Sequence, residues 1–217
     1  MPRNKYPELT REIVIDAGLA AFQEKGYEAS TILDIVGKMK GLSRGAFYHH
    51  FKSKEEVLFA VCERIFEKNN PFTKVRDDKN LNGLEKLRKA LKINMSLQQK
   101  DFAILDDVSI ELLKSPHFFM WQSEFNVSTC RKSIQPLIEE GIADGSIKNQ
   151  DPKILAELFC VMFGFWLGSV LFAGDSEYME QKAHVVFAIL DSFGLELYDE
   201  EIEILGGDWL KDNSVTP

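Results

Sequence analysis

The residues of this chain best equipped for chemistry lie in one short run, Ser43-Arg44-Gly45-Ala46-Phe47-Tyr48-His49-His50. They contain no nucleophile–base pair. They offer hydrogen-bond donors on a segment whose first residues are small. An arginine fork can hold both acceptors on a guanine edge. Gly45 and Ala46 let a backbone approach a surface closely, and Tyr48, His49 and His50 can donate to phosphates or bases. Phe47 and Phe51 are four apart, share one helical face, and are assigned to a local core. Lys54 lies at the expected start of the next helix, where unpaired backbone N–H groups also favour phosphate. This is the chemistry of reading a polyanion. No metal-ligand spacing, phosphate-cradling loop or catalytic pattern occurs elsewhere, so no enzymatic activity, metal or cofactor is expected. Cys62, Cys130 and Cys160 are odd in number, distant in sequence and set in apolar stretches. They read as small core hydrophobes outside any disulfide or zinc framework. His117 and His184 are assigned no ligand role.

Helices must position these groups, because helical periodicity dominates and strand patterns are nearly absent. Val14, Ile15, Gly18, Leu19 and Phe22 share one face of a helix over 11–25, stopped by Gly26. Ser30 and Thr31 can cap a second short helix carrying Ile32, Ile35 and Val36. Gly41 breaks it, and Ser43 can cap a third through His50. Lys52-Ser53-Lys54 opens a longer helix with Val57, Leu58, Val61 and Ile65, ending before Asn69-Asn70-Pro71. Residues 72–80 are polar and are expected to form a loop. Further helices are expected from Leu84, over 102–113, over 117–143, from the Asp151-Pro152 start through 172, and over 177–193. An acidic tail with Gly206-Gly207 follows. The fold class is all-α.

The net charge is −8, which by itself argues against nucleic acid, but its distribution reverses that. Residues 1–54 carry nine Lys/Arg and six Asp/Glu, while the rest of the chain carries −11. A basic end on an acidic body can present one face to a polyanion. Residues 1–6 are basic and polar without an apolar run, so no signal peptide is expected and the cytoplasm is the default. The uncharged stretch 158–174 falls short of the roughly 20 residues that span a bilayer. It is read as a buried helix at a core or subunit interface, and no membrane partner is expected.

The N-terminal pattern resembles the tetracycline-repressor (TetR) family of regulators. It runs Arg11…Val14-Ile15…Phe22…Gly26-Tyr27, Thr31-Ile32…Ile35, then Gly41-Leu42-Ser43-Arg44-Gly45…Tyr48-His49-His50-Phe51…Ser53-Lys54-Glu55. The resemblance is close over 11–58. It implies a helix-turn-helix whose third helix enters the major groove, a homodimer on a palindromic double-stranded DNA operator, and a C-terminal domain that binds a small effector. Thr31, Ser43, Arg44, Gly45, Tyr48, His49, His50 and Lys54 match positions that touch DNA. Ala46 at the helix start and Lys40 in the preceding turn complete the expected surface. The chain departs from the family at Gly18 and Val36, where alanine is usual. A turn one residue longer, within Gly37-Lys38-Met39-Lys40, bears on how the third helix docks.

The resulting division is a DNA-binding domain over 1–54 and an effector-binding and dimerisation domain over 55–217. Beyond residue 58 the resemblance is one of general organisation. Aromatics cluster at Phe118, Phe119, Trp121 and Phe125 and again at Phe159, Phe163, Phe165 and Trp166. Phe118, Trp121, Gln122, Phe125, Phe159, Phe163 and Trp166 are expected to border a site for an apolar or aromatic molecule. The last two long helices are expected to form the dimer interface through Gly164, Gly168, Leu171, Val186 and Leu190. The expected function is transcriptional regulation, as a repressor released from its operator by an effector. The alternative is a structural DNA-binding protein that marks chromosome sites and recruits a partner.

Overall fold

A computed structural model describes residues 7–101 and 108–205 of the chain. Among these residues the structure is helical and contains no strand. The expected helix over 102–113 is described only from residue 108, and Gly206-Gly207 lie outside the described residues. The chain forms two compact units, Met1–Lys68 with Lys100–Leu112, and Asn69–Gln99 with Leu113–Pro217.

In the first unit, α1 (Pro7–Lys25), α2 (Ile32–Gly37) and α3 (Arg44–His50) pack on one another, and α4 (Lys54–Asn69) follows. Val14, Ile15, Phe22, Ile35, Phe47 and Val57 are buried. α1 stops where Gly26 takes a φ of 80°, which a residue without a Cβ adopts cheaply. α2 starts at a reciprocal cap: Thr31 accepts from the Asp34 N–H, and the Asp34 carboxylate accepts from the Thr31 N–H. Ser43 caps α3 by accepting from the Ala46 N–H at 3.3 Å.

This unit runs past the expected boundary at residue 54. Val57, Leu58 and Val61 of α4 are buried, and Arg64 reaches back to Asp16 at 2.7 Å and Glu12 at 3.6 Å on α1. Val57 also accounts for Gly18. A Cβ on Gly18 would lie 2.3 Å from Val57 Cγ1, and a β-branched neighbour has little freedom to turn away. The glycine thus admits a bulkier residue on the facing helix.

In the second unit the loop expected over 72–80 is corrected. Pro71–Arg76 is a short helix, α5. Asn70 caps it by accepting from the Phe72 and Thr73 N–H groups, Pro71 fills its first turn, and Phe72 and Val75 are buried. The Asn-Pro pair that ends α4 therefore also starts the next helix. α6 (Gly83–Asp101), α7 (Ile110–Leu113, which straddles the unit boundary), α8 (Pro116–Thr129), α9 (Gln135–Asp144), α10 (Pro152–Cys160) and α11 (Ser176–Ser192) complete the sequence of helices.

Two of the expected long helices are interrupted by wide, π-helical segments, Cys130–Ile134 and Val161–Leu167. The first has a local cause. Pro136 has no N–H to give the carbonyl four residues earlier, at Lys132. Arg76 of α5 donates to that carbonyl at 2.8 Å. The core gathers Leu87, Leu91, Ile138, Leu155, Phe159 and Leu190 with their neighbours.

Candidate nucleic-acid interface

Helix α3 divides its side chains by period. Phe47 points inward and is fully buried, with the Tyr48 and Phe51 rings 5.2 and 6.3 Å away. Arg44 and Tyr48, one turn apart, face outward. The Arg44 Nη2 donates to the Tyr48 hydroxyl at 3.2 Å, and its guanidinium carbon lies 5.4 Å from the ring centre. The pair is a pre-ordered donor group at the start of the helix. A Cβ on Gly45 would meet only Ser43 Oγ, at 3.5 Å, so nothing inside the fold requires glycine there. Ser43, Gly45 and His49 are exposed and Ala46 is half-buried.

The longer turn before α3 is now explicit. Lys38 ends α2, Met39 is fully buried, and Lys40 and Gly41 take φ values of 50° and 84°. Met39 plugs the core while the two left-handed residues reverse the chain, and the Leu42 N–H closes the turn on the Met39 carbonyl at 3.1 Å. A left-handed lysine costs about 1 kcal/mol. Lys40 is exposed.

Three expected contacts are placed differently. Lys54 donates to the Tyr27 carbonyl at 2.7 Å and the Glu28 carbonyl at 3.2 Å, with its ammonium 4.1 Å from the Tyr27 ring centre. It ties the start of α4 to the turn after α1 and is not a simple surface cation. His50 is half-buried, and its Nε2 is buried without a partner. Burial first, then the neighbouring His49 and Arg11, hold its imidazole below the usual range, so Nε2 is not available as an outward donor. Thr31 is exposed, but its hydroxyl is engaged with Asp34. Lys38, in the longer turn, is paired with Glu24.

In the second unit the aromatic groups sort by helix. Trp121 and Phe125 stack at 5.7 Å, with Phe118 5.3 Å from Trp121. Phe159 lies 4.7 Å from Phe163 and 6.1 Å from Phe72. Phe118 and Phe159 are buried, while Gln122, Phe163 and Trp166 are half-buried. Asn126, absent from the expected set, holds a buried Nδ2 without a partner against Gly164. Its sequence setting among aromatics gave no signal of this.

Of the expected interface residues, Leu171 is 51% exposed and Gly168 is exposed, while Gly164 is half-buried beneath Asn126. Val186 and Leu190 are both 0% exposed and belong to the core of their own unit. That assignment is corrected: they lie on the inner face of α11, and Tyr178 and Val185 lie on the outer one.

The fold and this surface define an all-helical protein of helix-turn-helix type. The family model described as "Bacterial regulatory proteins, tetR family" matches residues 14–61, so the N-terminal module is similar to that of this family. It is 45% identical over 53 residues to the uncharacterized HTH-type transcriptional regulator YerO of Bacillus subtilis (strain 168). That alignment spans 24% of this chain and 18% of YerO. It is 25% identical over 187 residues to the HTH-type transcriptional repressor DhaR of Mycobacterium sp. (strain GP1), covering 83% of this chain and 91% of that one. A transcriptional regulator from Cytophaga hutchinsonii ATCC 33406 shares the fold, with a TM-score of 0.55 at 18% identity. The match covers 93% of this chain and 96% of that one. Among the described residues no helix is long and apolar enough to cross a membrane.

Proposed function

We propose that this chain is a repressor that docks α3 of each of two subunits into successive major grooves of a palindromic DNA operator, and that a small apolar or aromatic effector bound by the second unit releases it. The observation that carries the DNA-binding reading is the outward Arg44–Tyr48 pair on a helix anchored by Phe47 and left open at Gly45. It supplies a guanine-reading fork at the helix start, where the first residues of a recognition helix meet base edges. Ser43 and His49 flank it, and Lys40 stands beside it in the turn.

The effector reading draws support from the stacked Trp121 and Phe125 and from Asn126, whose buried donor is unmatched among the described residues. A ring-bearing ligand with one acceptor suits that combination. The second subunit is proposed to cover α10 and α11, where Ile154 and Val161, and Tyr178 and Val185, form exposed pairs seven residues apart. That spacing puts each pair on one helix face. Leu171 extends the apolar surface. Effector and operator then oppose each other through one linked equilibrium.

Selection from randomised duplexes should return two-fold symmetric sites, and light scattering should give twice 24.8 kDa. Arg44→Ala should weaken specific binding by about 2 kcal/mol and relax preference at one base position in each half-site. Gly45→Ala should leave the fold intact yet impair the same binding. An unchanged base preference in Arg44→Ala removes the proposed reading role. A thermal-shift screen of aromatic compounds tests the effector: a compound that stabilises the protein should also release the selected DNA, and stabilisation without release would separate the two.

A further inference from the structure

Cys130 and Cys160 are thirty residues apart in sequence, yet each adjoins a wide segment of the second unit. Cys130 opens the segment Cys130–Ile134, and Cys160 immediately precedes Val161–Leu167. α10 packs on the first of these segments. The Cys160 S–H donates to the Asn126 carbonyl at 3.7 Å, the same carbonyl that the Cys130 N–H reaches, and the two thiols interact. The residues are 3% and 9% exposed. The neighbouring Cys160 thiol, with Arg131 nearby, holds the Cys130 thiol below its ordinary range, while the Cys130 thiol and burial push Cys160 up. Cys62 belongs to the other unit and is pushed up to about 12 by burial.

We propose that Cys130 and Cys160 form a redox-sensitive dithiol that a hydroperoxide converts into an intrachain disulfide, joining the helix that runs from α8 into α9 to α10. Cys130 is assigned the attacking role and Cys160 the resolving one. The Cys130 thiolate attacks the terminal peroxide oxygen, the O–O bond breaks, and Cys130 becomes a sulfenic acid while the leaving oxygen departs protonated. The Cys160 sulfur then attacks the Cys130 sulfur. The S–S bond forms, the S–OH bond breaks, and the hydroxide leaves as water with the Cys160 proton. The two thiols give up two electrons and the peroxide accepts them.

Closing to the covalent separation of about 2 Å moves both sulfurs at places where the helix is already under-wound. Such wide turns are rare and concentrate where a helix has work besides packing. The bridge would hold α10 against the wide segment after α8, and so constrain the helices that carry both aromatic groups.

The test uses the reduced full-length chain treated with hydrogen peroxide, then denatured and alkylated. The expected chain takes one alkyl group in place of three, and its unalkylated mass falls by about 2 Da. Peptide mapping should show residue 130 joined to residue 160, and a thiol reductant should restore all three alkylation sites. Cys62→Ser should keep the bridge. Cys160→Ser should stop the reaction at a dimedone-trapped sulfenic acid on Cys130. Full alkylation of every chain after peroxide, a bridge that uses Cys62 or a second chain, or oxidation of Cys130 with Cys160 left free in the unmutated protein would each overturn the proposal. Because the readout is covalent, it is independent of whether the chain binds an operator.

Discussion

Gly83→Ala should destabilise the second unit by about 4 kcal/mol, as a large drop in its urea midpoint followed by tryptophan fluorescence. Trp121 and Trp166 both report from that unit. A Cβ on Gly83 would lie 2.2 Å from the Gly141 nitrogen, 2.4 Å from the Gly141 Cα and 2.6 Å from the Leu137 carbonyl oxygen. All three are backbone atoms of α9, so no side chain can rotate to make room and the helices must part. Overpacking of this kind costs about 1–3 kcal/mol where side chains can yield, and more where they cannot. Parting also disturbs two bonds at the start of α6. The Gly83 N–H donates to Asp144 Oδ2 at 2.8 Å and the Leu84 N–H to Ser146 Oγ at 3.2 Å, each worth about 1 kcal/mol. Gly37→Ala, in the first unit and so followed by circular dichroism, is the control, since its Cβ would meet nothing within 4 Å. It should hold or raise stability through helix propensity. An unchanged midpoint in Gly83→Ala would mean that α6 and α9 do not cross backbone to backbone.

Lys182→Met should cost about 3 kcal/mol, and the cost should grow as pH rises. Lys182 is 4% exposed, and its Nζ donates to the carbonyls of Trp166 and, at 3.0 Å, Phe172. These carbonyls lie where the apolar helix ends in the wide segment and the short 3₁₀ turn Val170–Phe172, so helix geometry gives them no donor. Methionine keeps most of the stem and removes both donors, leaving two partly buried acceptors at about 1–3 kcal/mol each, with that of the half-exposed Phe172 at the low end. Removing the buried charge gives some of this back, which sets the net near 3.

The pH arm separates the terms. Burial lowers the folded Lys182 pKa below its ordinary 10.5. The unfolded chain therefore binds more protons than the folded one between those two values, and stability rises with pH across that window. A neutral amine still has two N–H groups for two carbonyls, so the bonds survive deprotonation while the desolvation penalty is relieved. The gap between the unmutated protein and Lys182→Met should widen as pH rises through that window toward 10.5. A gap independent of pH would assign the loss to packing alone.

The first unit was legible in the sequence because its signals are local. Thr31 and Ser43 cap within three residues of themselves, Gly26 and Gly41 reverse the chain where they stand, and Phe47 and Phe51 announce an inner face by spacing. Residue type also marked the outward Arg44 and Tyr48. Charge and motif could not reveal which donors were already taken. Lys54 and Lys38 look alike as lysines on a basic surface, but one holds backbone carbonyls and the other a glutamate. His50 has one ring nitrogen buried and so not available as an outward donor.

In the body the sequence by itself determined that the chain is helical and where most helices begin. Periodicity and caps are properties of neighbouring residues. Tertiary structure alone decided which partners meet across long separations. Gly83 admits the backbone of Gly141. Arg76 answers the carbonyl that Pro136 leaves open, and Lys86 and Lys182 are buried despite their type. Val186 and Leu190 turn into the core, and Cys130 finds Cys160. Each of these depends on the rotation of one helix about its axis relative to another, and a rotation of about 100° per residue leaves no mark in the composition of either helix.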